Sequence, residues 1–146
     1  MKLSTRGCYG LTAMLELARF YGGGPLLMRA ISEKYSISRK YLHALLTSLK
    51  AAGLVRSIRG SGGGYILTRA PADITVSVII KALEGTLAPS ECVQDSSVCD
   101  RSGECAAHEL WMEMHNMVQE LLDGVSLADP LNRQVKRAED PVMYHI

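Results

Sequence analysis

Apolar positions along the first half of the chain recur mostly at helical spacing. Cys8, Leu11, Leu15 and Ala18 step by three and four, which predicts a helix over residues 5–21 with Ser4 as its N-cap. On this pattern Cys8 is a small buried hydrophobe. Gly22-Gly23-Gly24-Pro25 stops the helix. A short helix follows, with Leu27, Ala30, Ile31 and Tyr35 on one face, and Ser36-Ile37-Ser38 makes a tight turn. Residues 39–52 form a longer helix, capped by Ser38, with Leu42, Leu45, Leu46, Leu49 and Ala52 as its stripe and Gly53 just past its end. The period then changes. Residues 54–58 read as a strand and residues 65–67 as its return.

Beyond Pro71 the helical period resumes over residues 74–84, with Val76, Ile79, Ile80 and Leu83 inward and Gly85 as the stop. Residues 87–106 lose it, which predicts a loop. From residue 107 to 122 it returns strongly: Ala107, Leu110, Met114, Met117 and Leu121 step by 3, 4, 3 and 4, the spacing of a helix–helix seam. Trp111, Val118 and Leu122 widen that stripe beyond what one small domain covers, so it predicts a dimer interface, with an intrachain core helix as the plain alternative. The expected fold is mainly α with a small β-hairpin: a winged helix-turn-helix plus a long dimerisation helix. The organisation that follows is a winged-helix region (1–70), a connecting helix packed on it (71–86), a cysteine loop (87–106), a dimerisation helix and following segment (107–137) and a frayed tail (138–146).

Two helices joined by a short turn form a helix-turn-helix. The face of the second helix opposite its apolar stripe carries Arg39, Lys40, His43, Thr47 and Lys50. Cations in the first turn run against the helix dipole, which makes sense if that end meets phosphates. A solvated basic face on an ordinary helical domain explains the same residues. The hairpin decides between them: Arg59-Gly60-Ser61-Gly62-Gly63-Gly64 is a flexible tip whose arginine can enter a narrow minor groove. Helix-turn-helix and wing together predict double-stranded DNA as the partner.

Charge agrees once the chain is divided. The net charge is only +1 over 146 residues. Residues 1–70, however, hold 11 Lys and Arg against 2 Asp and Glu, while residues 71–146 hold 5 against 13. A basic half of +9 is thus joined to an acidic half of −8, as if for two tasks. No apolar run reaches the ~20 residues of a membrane span, and Glu16 and Arg19 interrupt the one N-terminal candidate for a signal core. The expectation is a cytoplasmic protein with no membrane partner, whose thiols stay reduced. Enzymatic activity finds no support, since no nucleophile triad, phosphate loop or carboxylate pair is recognisable.

Three of the four cysteines cluster as Cys92-x6-Cys99-x5-Cys105-x2-His108. Three soft thiolates and an imidazole make a four-ligand metal set, with Cys105 and His108 on one face of a helix entry. Structural zinc would usually bring Cys-x2-Cys knuckles, whereas wider gaps fit a [2Fe–2S] rhomb gripped at both irons. Zinc therefore remains the alternative, as do unligated loop thiols. His115, two turns on from His108, is a further candidate for the fourth ligand.

Residues 1–10, the Ile-Ser and Tyr-Leu pairs between Ile37 and Leu42, Gly53-Leu54-Val55, residues 59–65, and the Cys/Cys/Cys/His set leading into Leu110-Trp111 together resemble the IscR family. This is the iron–sulfur-responsive branch of the Rrf-type winged-helix regulators, and the resemblance covers residues 1 to about 130. It implies a homodimeric transcription factor with one [2Fe–2S] cluster per subunit, acting on genes for iron–sulfur cluster assembly through a palindromic operator. Cys92, Cys99, Cys105 and His108 take the ligand positions. Ser38, Arg39, Lys40, Tyr41 and His43 fall on the DNA-reading helix, and Arg59, Gly60 and Ser61 on the wing. Leu110, Trp111, Met114, Met117, Val118 and Leu121 form the expected dimer seam. His43 stands where relatives often carry an acid, and the first cysteine gap is a residue longer than in some. Nitric-oxide, iron or thiol sensing on the same scaffold, or a small iron–sulfur carrier, are the rival readings.

Overall fold

A computed structural model describes residues 2–139. Helix α1 (Thr5–Arg19) begins where Ser4 Oγ accepts from Arg6 N, so the sequence-derived cap holds. Its buried face is turned from the expected one: Ala18 is buried and Leu11 and Leu15 pack half-buried on the core, as expected, but the face is centred elsewhere. Cys8 is exposed, while Gly7, Gly10, Ala13, Met14, Leu17 and Ala18 point inward. The reason is the partner helix: α4 (Val76–Glu84) packs on the glycine side. A Cβ at Gly10 would stand 2.2 Å from Leu83 Cδ1, and one at Gly7 2.5 Å from Glu84 Oε1. Glu84 exploits that approach, accepting from Ser4 N at 2.9 Å, Ser4 Oγ at 2.5 Å and Gly7 N at 3.0 Å. These bonds, the Ser4 hydroxyl's foremost, hold its carboxyl below the usual value.

Helices α2 (Met28–Tyr35) and α3 (Arg39–Ala51) make the helix-turn-helix. Leu27 and Ala30 are exposed, outside the buried face assigned to them, whereas Ile31 is buried and Tyr35 packs on the core as expected, and Ser32 joins them. Ser32 Oγ donates to Ile37 O at 2.6 Å and fixes the turn, where Ser36 adopts a left-handed conformation at φ 54°. Leu42, Leu45, Leu46 and Leu49 are fully buried; Ala52, expected with them, is the exposed C-cap. Past it, Gly53 N donates to Lys50 O and Leu54 N to Leu49 O, a Schellman closure that needs the φ of +75° at Gly53.

The wing is an antiparallel pair, β1 (Val55–Ile58) with β2 (Gly64–Leu67), in register Val55 to Leu67 and Ile58 to Gly64. Leu26 adds an isolated bridge on the other side of β2 by exchanging backbone bonds with Tyr65 at 2.9 and 2.8 Å. A 3₁₀ turn at Pro71–Asp73 leads into α4.

The cysteine segment contains more structure than a loop: α5 (Glu91–Gln94) and a 3₁₀ turn at Ser96–Val98. Then come α6 (Ala106–Asp123) and α7 (Ala128–Glu139). Between those two the chain returns to the core. Val76 N donates to Val125 O at 2.8 Å, Leu127 N donates to Ile74 O at 2.9 Å, and Leu127 is fully buried. Ala138 and Glu139, expected in the tail, belong to α7, and the rest of that tail lies outside the described residues.

Candidate nucleic-acid interface and metal centre

The start of α3 is capped as expected, with Ser38 Oγ accepting from Tyr41 N at 3.2 Å. From that cap Arg39, Lys40, His43, Thr47 and Lys50 are all exposed, on the side opposite the leucine stripe. Tyr41 differs. It is half-buried, its ring edge-on to Tyr9 at 6.1 Å and its hydroxyl 3.2 Å from Thr5 Oγ1, so α1 fixes its position. Lys50 Nζ donates to Ser57 Oγ at 2.9 Å, which couples the reading helix to the first strand of the wing.

At the wing tip Arg59, Gly60 and Ser61 are exposed. The turn closes through Gly63 N donating to Gly60 O at 3.0 Å. A Cβ on Gly63 would fall 2.2 Å from Ile58 O, which explains why this tip is built of glycine. Behind this surface an ion cluster around the buried Glu16 sets the helix-turn-helix. Glu16, 4% exposed, takes Lys34 Nζ at 2.8 and 3.0 Å and the Tyr35 hydroxyl at 2.6 Å, with Arg19 3.5 Å away. Sequence periodicity passed over Glu16, because a lone acid inside an apolar stripe carries no signal until its partners on α2 are known. Arg6 was missed for the same reason: its guanidinium bonds Leu83 O and Ser48 Oγ, joining α1 to α4 and α3.

In the cysteine segment, α5 lies against α6. This contact brings Cys92 Sγ to 3.3 Å from His108 Nδ1 and 3.1 Å from Ser90 Oγ. Cys92, Cys99 and Cys105 are all half-buried, and Cys105 caps α6. Among the described residues no three His, Cys, Asp or Glu side chains converge on one point. Two of the four expected ligands thus meet, while Cys99 and Cys105 stand apart from them. His115 lies elsewhere, between α6 and α4, where Gln119 Nε2 also donates to Ser77 Oγ at 2.8 Å.

Helix α6 has no buried residue. Leu110, Trp111, Met117 and Leu121 are exposed at 55, 38, 71 and 65%, with Met114 and Val118 half-buried beside them. The expected seam is therefore an uncovered apolar stripe. No helix among the described residues is long and apolar enough to cross a membrane.

Comparison with known proteins agrees with this architecture. A family profile described as "Iron-dependent Transcriptional regulator", Rrf2, matches residues 3–133. The chain belongs to the Rrf2 family. It is a DNA-binding transcriptional regulator, and its relatives carry regulator names, not enzyme names. CymR of Bacillus subtilis is 43% identical over 129 residues, 88% of each chain. Its solved structure, titled as the global cysteine regulator of that organism, aligns with a TM-score of 0.78 over 91% of this chain and 98% of that one at 41% identity. IscR of Aliivibrio salmonicida is 36% identical over 141 residues, 96% of this chain and 83% of that protein. The structure of T. potens IscR gives a TM-score of 0.76 at 38% identity, covering 92% and 88%. This Rrf2 regulator is thus similar to IscR-type and CymR-type members alike, and both share its mainly helical winged fold.

Proposed function

We propose that this Rrf2 regulator acts as a homodimer that reads a palindromic operator and senses iron–sulfur cluster status through a [2Fe–2S] group, one per subunit, to control cluster-assembly genes. The observation that carries the sensing is the 3.3 Å approach of Cys92 to His108, within a segment that also holds Cys99 and Cys105. The donor set fits the group in kind: three thiols able to become thiolates and one imidazole, all half-buried. When bound, the group supplies an occupancy that changes with iron and sulfide supply. Its imidazole ligand is protonatable and weaker than thiolate, which suits a reversible site. Cys92, Cys99, Cys105 and His108 are the residues that would hold it.

On the DNA side, Ser38, Arg39, Lys40, Tyr41 and His43 meet base edges or flanking phosphates in the major groove. Arg59, with Gly60 and Ser61, enters the minor groove. Two copies paired through Leu110, Trp111, Met114, Met117, Val118 and Leu121 set their reading helices about 34 Å apart, one turn of duplex. The seat of α5 on α6, where Cys92 meets His108, is the part of the chain that would link occupancy of that site to the way the pair presents its wings.

Anaerobic reconstitution with iron and sulfide tests this. The parent protein is expected to gain [2Fe–2S] visible absorption, and Cys92→Ala, Cys99→Ala and Cys105→Ala to lose it. Retained absorption in those variants overturns the ligand assignment. A second reading is thiol sensing, favoured by the Ser90–Cys92–His108 contacts, which need no metal. Under it, Cys92→Ala abolishes a peroxide or disulfide response of DNA binding while cluster reconstitution fails even in the parent.

A further inference from the structure

Between α4, α6 and the turn after Gly85 lies a cavity of about 400 Å³, within the size range of small-molecule sites. Its polar lining comes from Ser77 and Lys81 on α4, Thr86 in the turn, and His115 and Gln119 on α6. The hydrogen-bonding capacity left over on these groups is uneven. Gln119 donates its amide hydrogens to Ser77 Oγ at 2.8 Å and Asp123 Oδ1 at 3.0 Å. Ser77 Oγ is the acceptor in the first bond and retains its own hydrogen. Thr86 Oγ1 accepts from Ala88 N at 3.1 Å and retains its hydrogen likewise. Lys81 enters none of the ion pairs among the described residues. His115 Nδ1 is buried there with no hydrogen-bond partner, a state that is costly unless something occupies it.

The cavity is therefore rich in donors, carries one fixed cation, has no acid in its lining, and is walled by Ile80 and Leu122. It also adjoins the C-terminal end of α4, where the helix dipole disfavours anions, a multiply charged one most, so that a ligand there can carry no more than a single negative charge set against Lys81. We propose that this cavity binds a small organic monocarboxylate. Its oxygens take the Lys81 ammonium, the two hydroxyl hydrogens and, once the ring turns its buried Nδ1 toward the cavity, His115, and its carbon body lies against Ile80 and Leu122. Since the donors are divided between α4 and α6, occupancy braces one helix on the other. His115 is two helical turns from His108, so this brace governs how firmly α6 presents the face that meets Cys92. The binding step itself is independent of any metal group.

The test uses the full chain without added iron, with butyrate, lactate and pyruvate as probes and phosphate and chloride as controls. The His115 ring resonance is followed by NMR, and melting temperature in parallel. At least one carboxylate is expected to shift the resonance saturably and raise the melting temperature. Lys81→Met, at an exposed position, and His115→Phe are expected to weaken that binding about tenfold or more, the scale of one lost charge-assisted hydrogen bond. Should His115→Phe fail to fold, Lys81→Met decides alone. The proposal is overturned if no carboxylate shifts the resonance saturably, if phosphate or chloride matches the effect, or if Lys81→Met binds like the parent.

Discussion

Glu16 concentrates the chemistry of the helix-turn-helix in one side chain. Burial alone would raise its pKa, but the hydrogen bonds from Lys34 and Tyr35, with the charges of Lys34 and Arg19, outweigh that and leave it below the ordinary 4.5. A carboxylate with a depressed native value stabilises the fold above the unfolded-state value, and that contribution vanishes as the pH falls through the native one. Urea titrations at a series of pH values are thus expected to give constant stability from this group above 4.5 and a loss below it. Glu16→Gln should flatten that limb. Glu16→Ala should cost about 1–3 kcal/mol at neutral pH, because the Tyr35 hydroxyl, partly buried, loses its acceptor. Ser38 separates folding from reading in a comparable way. Its oxygen caps α3, and the capping role is worth about 1 kcal/mol. Ser38→Ala should lower stability by that amount. Ser38→Asp keeps the cap and should leave stability intact, yet weaken DNA binding by setting a carboxylate against phosphate; chemical denaturation and operator titration measured side by side distinguish the two.

At the scale of elements, what the sequence disclosed and what it withheld have physical causes. Helix α3 was legible because a long amphipathic stripe, a serine cap and a closing glycine all agree. The wing was legible because its glycines sit where a side chain would strike Ile58 O or Leu26 O. The orientation of α1 was not. A search for large apolar residues turns that helix toward Cys8, whereas its closest contact uses glycines that offer no side chain at all. Nor could periodicity find α5 or the turn at Ser96–Val98, since four and three residues complete barely one turn. The cysteine spacing named a ligand set but not its arrangement. Only the docking of α5 on α6 shows that Cys92 and His108 meet, and Cys99 and Cys105 do not join them at one point.

Over the whole molecule, the basic half carries the winged helix and the acidic half carries the proposed sensor segment. Of the basic half's cations all but Arg6 are exposed, among them Arg39, Lys40, Lys50, Arg56, Arg59 and Arg69 on the reading helix and around the wing. Operator affinity should accordingly fall log-linearly with salt, with a slope near −0.9 for each phosphate neutralised, and Arg59→Ala should make that slope shallower by about one. The uncovered stripe on α6 gives a second expectation. Met117→Asp with Leu121→Asp should convert a dimer to a monomer in sedimentation, and lower affinity for a palindrome far more than for a half-site. A last consequence concerns the rungs that tie Ile74 and Val76 to Leu127 and Val125. Past the end of α4 the chain leaves the core, runs through the cysteine segment and α6, and returns beside the residues that lead into α4, so the stretch between is a closed handle with both ends riveted to the body. Cutting the handle does not release it. A single proteolytic nick near Arg101 should give two bands on a denaturing gel and one species on a native gel, with operator-independent melting of the core nearly unchanged.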